Sequence, residues 1–392
     1  MRKALIFVLS AVFLLVLGAF ISGTILTPYA QDMGATWIQI GILSGSMYAV
    51  RLFIGAPVGR LADRKGTLTV LKISLMLFPF IAAAYYFAFD INSLIGARLL
   101  HGVASAMLLP MGMAYVGQAS PDGMEGRYMG LYNLCVLLAS GIGPFISTIV
   151  AGVFNYRATF ILLFAFAVVA LLVVISLKDM DAGRRSIDKP QNAEVKRKAI
   201  DLLKDKRLLA LSLANIALSV VSSLVGFFIL PFLETRSIDL IFTGSIIAIY
   251  NILSGVVQLP LGKIMDKHNK FLIVLMSGVA TSVVMLMFPL SQSLLTMGIA
   301  MTLTALGSAI LLASTSALSV MVGRELGMGS TMGFLSTSNS IGMIFGCLSL
   351  SLMPGMGFKF ESFFYLSSAV MLICTILFAV LWAKRERSVQ KR

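Results

Sequence analysis

The chain has 392 residues, of which 58% are hydrophobic and 12% charged, with a formal net charge of +14. A soluble domain carries about 25% charged residues, so a soluble globular enzyme is excluded. Many apolar runs are long enough to cross a bilayer as helices. A β-barrel is excluded as well, because its strands are about ten residues of alternating polarity.

Read in chain order, the apolar runs predict twelve spans, at roughly 4–30, 37–59, 69–89, 94–117, 127–152, 157–177, 207–233, 240–262, 270–290, 294–320, 329–353 and 361–383. The first follows Met1-Arg2-Lys3, but it is too long for a signal-peptide core and no Ala-x-Ala site ends it. The expectation is an all-α membrane protein with three parts: a bundle over 1–177, a charged cytoplasmic linker with a short helix over 178–206, and a second bundle with a basic tail over 207–392. If the N-terminus is cytoplasmic, 25 of the 31 Lys and Arg fall in cytoplasmic segments, three in outer loops (Arg157, Arg236, Lys359) and three within spans (Arg51, Lys72, Arg98). That asymmetry is the positive-inside signal and predicts a multi-pass protein of the cell's inner or plasma membrane with both termini inside. It accounts for the basic charge without nucleic acid.

The two halves repeat. PVGRLADRKG at 57–66 returns as PLGKIMDKHNK at 260–270, so Gly59, Asp63 and Arg64 align with Gly262, Asp266 and Lys267, each 203 residues later. The same offset aligns Gly126 with Gly329, Gly130 with Gly333 and Gly143 with Gly346. A gapless repeat of this kind predicts two pseudo-symmetric six-helix bundles around a shared site.

Three blocks carry a resemblance. They are GRLADRKG at 59–66, with Asp63, Arg64 and Gly66; LIGARLLHGVASA at 94–106, with Arg98 and Gly102; and ASGIGP at 139–144, with Gly143 and Pro144. In order and spacing the chain resembles a twelve-helix transporter of the major facilitator superfamily, nearest in pattern to its drug:proton antiporter branch. It departs from that branch at Thr67, His101, Ser147 and Thr148. The resemblance implies proton-coupled efflux of small amphiphilic or drug-like molecules by a monomer, with no cofactor and no metal. It also implies a cytoplasmic latch in which Asp63 meets the N-terminus of the eleventh span. A carboxylate there meets unsatisfied N–H groups and a partial positive charge. Arg64 and Arg127 are expected to pair with Glu125 or Asp122, and Gly102, Gly143 and Pro144 to serve helix packing.

Ionisable residues within a bilayer are costly and mark functional sites. Tyr48 and Arg51 share a helix face with Ser44 and Gly55, while Arg98 and His101 share one with Gly102 and Ser105. Asn215 on the seventh span, and Asn251 and Gln258 on the eighth, add polar faces. Together they predict a central polar path. His101 is a candidate proton carrier. All 17 Asp and Glu fall in loops or at helix ends, so Asp32 and Glu234 at the outer mouth are the carboxylates available for coupling. Arg51 and Arg98 without a mid-membrane acid favour the alternative cargo, a specific anionic or zwitterionic metabolite moved without proton coupling. An intramembrane enzyme would need a dense polar constellation at one depth, which the sequence lacks.

Overall fold

The structure is a computed structural model, and it describes residues 2–175, 177, 204–225, 229–234, 250–291, 293–352, 357–359 and 361–389. The predicted linker helix, most of the segment 178–206 and the end of the basic tail lie outside the described residues. So does the first part of the expected eighth span.

The first half holds α1 (Arg2–Thr24), α2 (Leu26–Asp32), α3 (Trp37–Lys65), α4 (Thr67–Tyr86), α5 (Ile91–Ala119), α6 (Glu125–Val153) and α7 (Tyr156–Ile175). The second holds α8 (Lys206–Ser223), α9 (Ile229–Glu234), α10 (Gln258–Lys267), α11 (Lys270–Met287), α12 (Leu294–Leu326), α13 (Met328–Leu352) and α14 (Glu361–Val389). Among the described residues, ten helices are long and apolar enough to cross a membrane. α13 is not one of them. Its Ser, Thr, Gly and Asn residues dilute an otherwise apolar 25-residue helix.

Local sequence sets the helix starts. Thr36 with Gln39, Asp90 with Ser93 and Ser293 with Thr296 form reciprocal capping boxes at α3, α5 and α12. Asp205 and Asn269 cap α8 and α11. Two stops matter most for function. Gly66 and Gly327 hold φ of +98° and +105°, which a side chain disfavours, and there α3 and α12 end.

Two expected boundaries are corrected. The spans predicted at 37–59 and 240–262 end later than expected: α3 stays helical to Lys65 and α10 to Lys267. Hydropathy marks where apolar side chains stop. The backbone ladder continues past that point into the headgroup region, because its hydrogen bonds do not depend on side-chain polarity.

Within the first half, α1 packs on α6 and α7, and α4 on α5 and α7; within the second, α8 packs on α13 and α14, and α11 on α12 and α14. The halves meet chiefly where α3 lies along α13 and α10 along α6. Both seams are closest at the end that carries the basic helix tips. A Cβ on Gly59 would collide with the Gly329 carbonyl, and one on Gly262 with the Gly126 carbonyl. Among the described residues, the basic end is therefore shut, backbone against backbone.

Candidate functional site

Two carboxylates join the halves at the basic end. Asp63, at the tip of α3, accepts hydrogen bonds from Gly329 N at 2.7 Å and Ser330 N at 2.8 Å, the first free amides of α13. Asp266, at the tip of α10, accepts from Gly126 N at 2.7 Å, in the first turn of α6. Met124 at the start of α6 offers no side-chain cap of its own. Each carboxylate therefore serves as helix cap for the opposite half, and each finds the residue that the repeat predicts, since Gly126 and Gly329 are also 203 apart. Gly327 is required for this approach: a Cβ there would sit 2.7 Å from Asp63 Oδ2.

The expected ion pairs are exchanged. Arg127 pairs with Asp266, Nε to Oδ2 at 3.3 Å, rather than with Glu125 or Asp122. Those two acids are taken by Arg324 at the end of α12. Its Nη1 donates to Asp122 Oδ1 at 2.6 Å and to Glu125 Oε1. Its Nη2 donates to the Ser120 carbonyl at 2.6 Å. Glu125 is only 4% exposed, so it needs that cation. Nothing in the repeat pointed to Arg324 as the partner of Asp122 and Glu125. Arg64 and Lys267 lie exposed on the last turns of α3 and α10.

Between the halves, beyond the latch, lies a cavity of about 200 Å³. Its walls include Arg51 of α3, Met113 of α5, Tyr132 and Val136 of α6, Asn215 of α8, Leu312 of α12 and Asn339 of α13. Arg51 is 6% exposed. Its Nη2 donates to Ser336 Oγ and Asn339 Oδ1, both at 3.4 Å across the seam, and its guanidinium stands 5.8 Å from the Tyr48 ring centre. Asn339 Nδ2 in turn donates to Ser219 Oγ at 2.6 Å. A second polar knot lies beside the cavity. Asn133 Nδ2 donates to Gln258 Oε1 and Ser316 Oγ, both at 3.2 Å, and Gln258 Nε2 donates to the Ala309 carbonyl at 3.2 Å. A larger opening of about 490 Å³ surrounds Arg324 and Asp122 on the shut side, but its wall is the latch itself.

Not every predicted residue meets this cavity. His101 is 2% exposed inside the first half, with Nδ1 3.1 Å from Tyr85 Oη and its ring edge-on to Phe78. Arg98 sits half-buried nearby, its Nε buried without a hydrogen-bond partner. Asn251 Oδ1 accepts from Ser140 Oγ across the seam at 3.4 Å. Asp32 is exposed at the end of α2. Glu234 ends α9, and its side chain lies outside the described residues. Gly102 lets α5 reach the α3 backbone, with a built Cβ 3.0 Å from the Met47 carbonyl, and Gly143 lets α6 reach α1 at Phe20. Pro144 follows it inside α6. Sequence reasoning missed Ser336, Asn339 and Asn133. The run Ser336-Thr337-Ser338-Asn339-Ser340 was the signal for the first two: five consecutive polar residues in mid-span.

The sequence profile of the Major Facilitator Superfamily matches residues 8–303 and 211–392, and the chain belongs to that family. An uncharacterised MFS-type transporter of Methanocaldococcus jannaschii is 27% identical over 341 residues, covering 86% of this chain and 87% of the relative. A multi-drug resistance efflux pump PmrA homolog of Lactococcus lactis is 22% identical over 370 residues, covering 90% and 86%. Among solved structures, the human organic anion transporter MFSD10 (TETRAN) matches with a TM-score of 0.74 at 16% identity, over 96% of this chain and 99% of that one. The last shows a shared fold. Membership makes the chain a multi-pass membrane transporter rather than an enzyme.

Proposed function

We propose that this protein is a secondary transporter that exports a small amphiphilic molecule by alternating access, works as a monomer, and draws on a proton gradient. In this reading the basic end faces the cytoplasm, and the structure is the outward-facing form. One observation carries it: reciprocal carboxylate caps join the two halves at the basic end of the seam, with the cavity beyond them. The excess of Lys and Arg at that end supports its placement inside the cell. The PmrA homolog, named as a multi-drug efflux pump, supports efflux. His101, Asp32 and Glu234 are the coupling candidates.

A second reading, a specific anionic or zwitterionic metabolite moved without a proton, is favoured by Arg51. Among the described residues it has no carboxylate within ion-pair distance. The name of the MFSD10 structure also speaks for anions, though that protein shares only the fold. Purified protein in liposomes, with imposed proton or sodium gradients, decides between them. Efflux driven by the proton gradient supports antiport; indifference to both gradients leaves facilitated movement.

A further inference from the structure

We propose that the cavity receives a small organic anion, its carboxylate or sulfonate head seated on the free edge of Arg51 and its body against Met113, Val136 and Leu312. This rests on the transporter reading and adds the charge class and the residue that recognises it.

The first argument is electrostatic. Arg51 is 6% exposed, and its Nε is buried without a hydrogen-bond partner. Its two cross-seam contacts are to neutral oxygens at 3.4 Å. Charge-assisted bonds of a guanidinium to an anion are typically about 2.7–2.9 Å. An uncompensated buried cation is strongly unfavourable, so a group that supplies the missing negative charge competes well against Ser336 and Asn339.

The second argument comes from the repeat. The residue equivalent to Arg51, 203 positions on, is Ser254. Ser254 is buried too, and a single bond to the Ala305 carbonyl at 3.3 Å satisfies its hydroxyl. Ser336, which receives Arg51, is itself the repeat mate of Asn133. The same helix crossing is thus built twice, once with a cation and once without. Folding of the crossing does not require the charge, and the copy that carries it places that charge in the cavity wall.

The third argument is size. About 200 Å³ is below the range of roughly 300–1,000 Å³ usual for drug-sized ligands. It suits a single ring or a short chain with one charged end. Because Arg51 ties α3 to α13, an anion that captures the guanidinium also loosens a bond between the halves. Cargo binding and release of the seam are then one event.

The test uses the purified full-length protein and four matched probes: benzoate, benzenesulfonate, benzamide and benzylamine. Binding is read from the shift in thermal unfolding and from titration calorimetry. Benzoate and benzenesulfonate are expected to bind wild type, with benzamide and benzylamine weaker by tenfold or more. Arg51→Ser, which installs the residue of the repeat mate, is expected to lose anion affinity at least tenfold, about 1.4 kcal/mol, and Arg51→Lys to keep part of it. Ser336→Ala, which removes one of the two cross-seam contacts of the guanidinium and keeps the charge, is expected to tighten benzoate and serves if Arg51→Ser does not fold. Failure of benzoate to bind wild type, equal binding to Arg51→Ser, no gain in Ser336→Ala, or preference for benzylamine would each overturn the proposal. Liposome flux separates the two readings. Flux of a permanently cationic dye without anion binding sinks the charge class and leaves transport standing. Anion binding without flux of any probe keeps the charge class and sinks transport.

Discussion

Asp63 closes the helix start at Gly329 from the opposite half, Oδ1 to N at 2.7 Å, and its repeat mate Asp266 does the same for Gly126 at the same distance. Helix caps of this kind contribute about 0.5–2 kcal/mol, so the closed seam depends measurably on both. Asp63→Asn is expected to slow turnover severalfold and leave cargo affinity within about twofold, because the cap lies apart from the cavity. Asp266→Asn should act in the same direction, because it weakens the hold on the Gly126 amide and on Arg127. Spin-label distances across the basic end, together with flux, check this. Unchanged turnover in both variants removes the latch.

Gly262 touches the Gly126 backbone so closely that a Cβ has no room. Gly262→Val is expected to hold the seam apart at the basic end while each half stays folded. Thiol labelling of Ser330→Cys in that background should speed up several-fold. Slow labelling with a native melting curve would show that the backbones tolerate the branch.

Arg324 holds Asp122 and the buried Glu125 from the other half. Arg324→Gln leaves Glu125 without its cation, and the closed form is expected to lose about 1–3 kcal/mol, since the pair is only partly buried. A double-mutant cycle with Glu125→Gln measures the coupling. Additive single effects would mean that the pair contributes nothing to closure.

Among the described residues, His101 has one polar contact, to Tyr85, in a shell that includes Phe78. His101→Gln can keep that contact but cannot carry a proton. If His101 is the coupling group, the pH profile of efflux flattens in this variant while the fold survives. A profile that keeps its shape moves the coupling role to Asp32 or Glu234.

Asp205 caps α8 and is bound by Arg207. Burial works against its ionised form, but the hydrogen bonds and charge of Arg207 outweigh burial and hold its carboxyl below the usual range. A depressed folded-state value gives stability that is present above the unfolded value near pH 4 and is lost as pH falls through the folded one. Asp205→Ala is expected to cost about 1 kcal/mol at pH 7. The gap to wild type should shrink below about pH 4, as read by thermal melts. A gap that is constant with pH would show that the cap is not electrostatic.

Much of this architecture was legible because the repeat has no gap. The resemblance pointed Asp63 at the start of α13; the partner of its repeat mate Asp266, Gly126, was not named from sequence, although the same offset relates it to Gly329. The salt-bridge partners were not legible. Arg64 and Arg127 were the partners expected for Glu125, and only the way the tips of α6, α10 and α12 meet gives it to Arg324 instead. The polar run at 336–340 was visible in sequence but was not read as a site, since it sits inside an otherwise ordinary apolar span. His101 shows the converse. Its type and depth pointed to the passage, while the rotation of α5 turns it toward Tyr85 and α4.

The crossed capping has one more consequence. Neither half is a complete hydrogen-bonding system by itself, because α13 and α6 each begin on an amide that the other half must satisfy. When the tips part, those amides and both carboxylates have to be hydrated at the same moment. On the proposed alternating-access reading the basic end cannot open dry, and reagents that lower water activity are expected to hold the protein in the shape seen here.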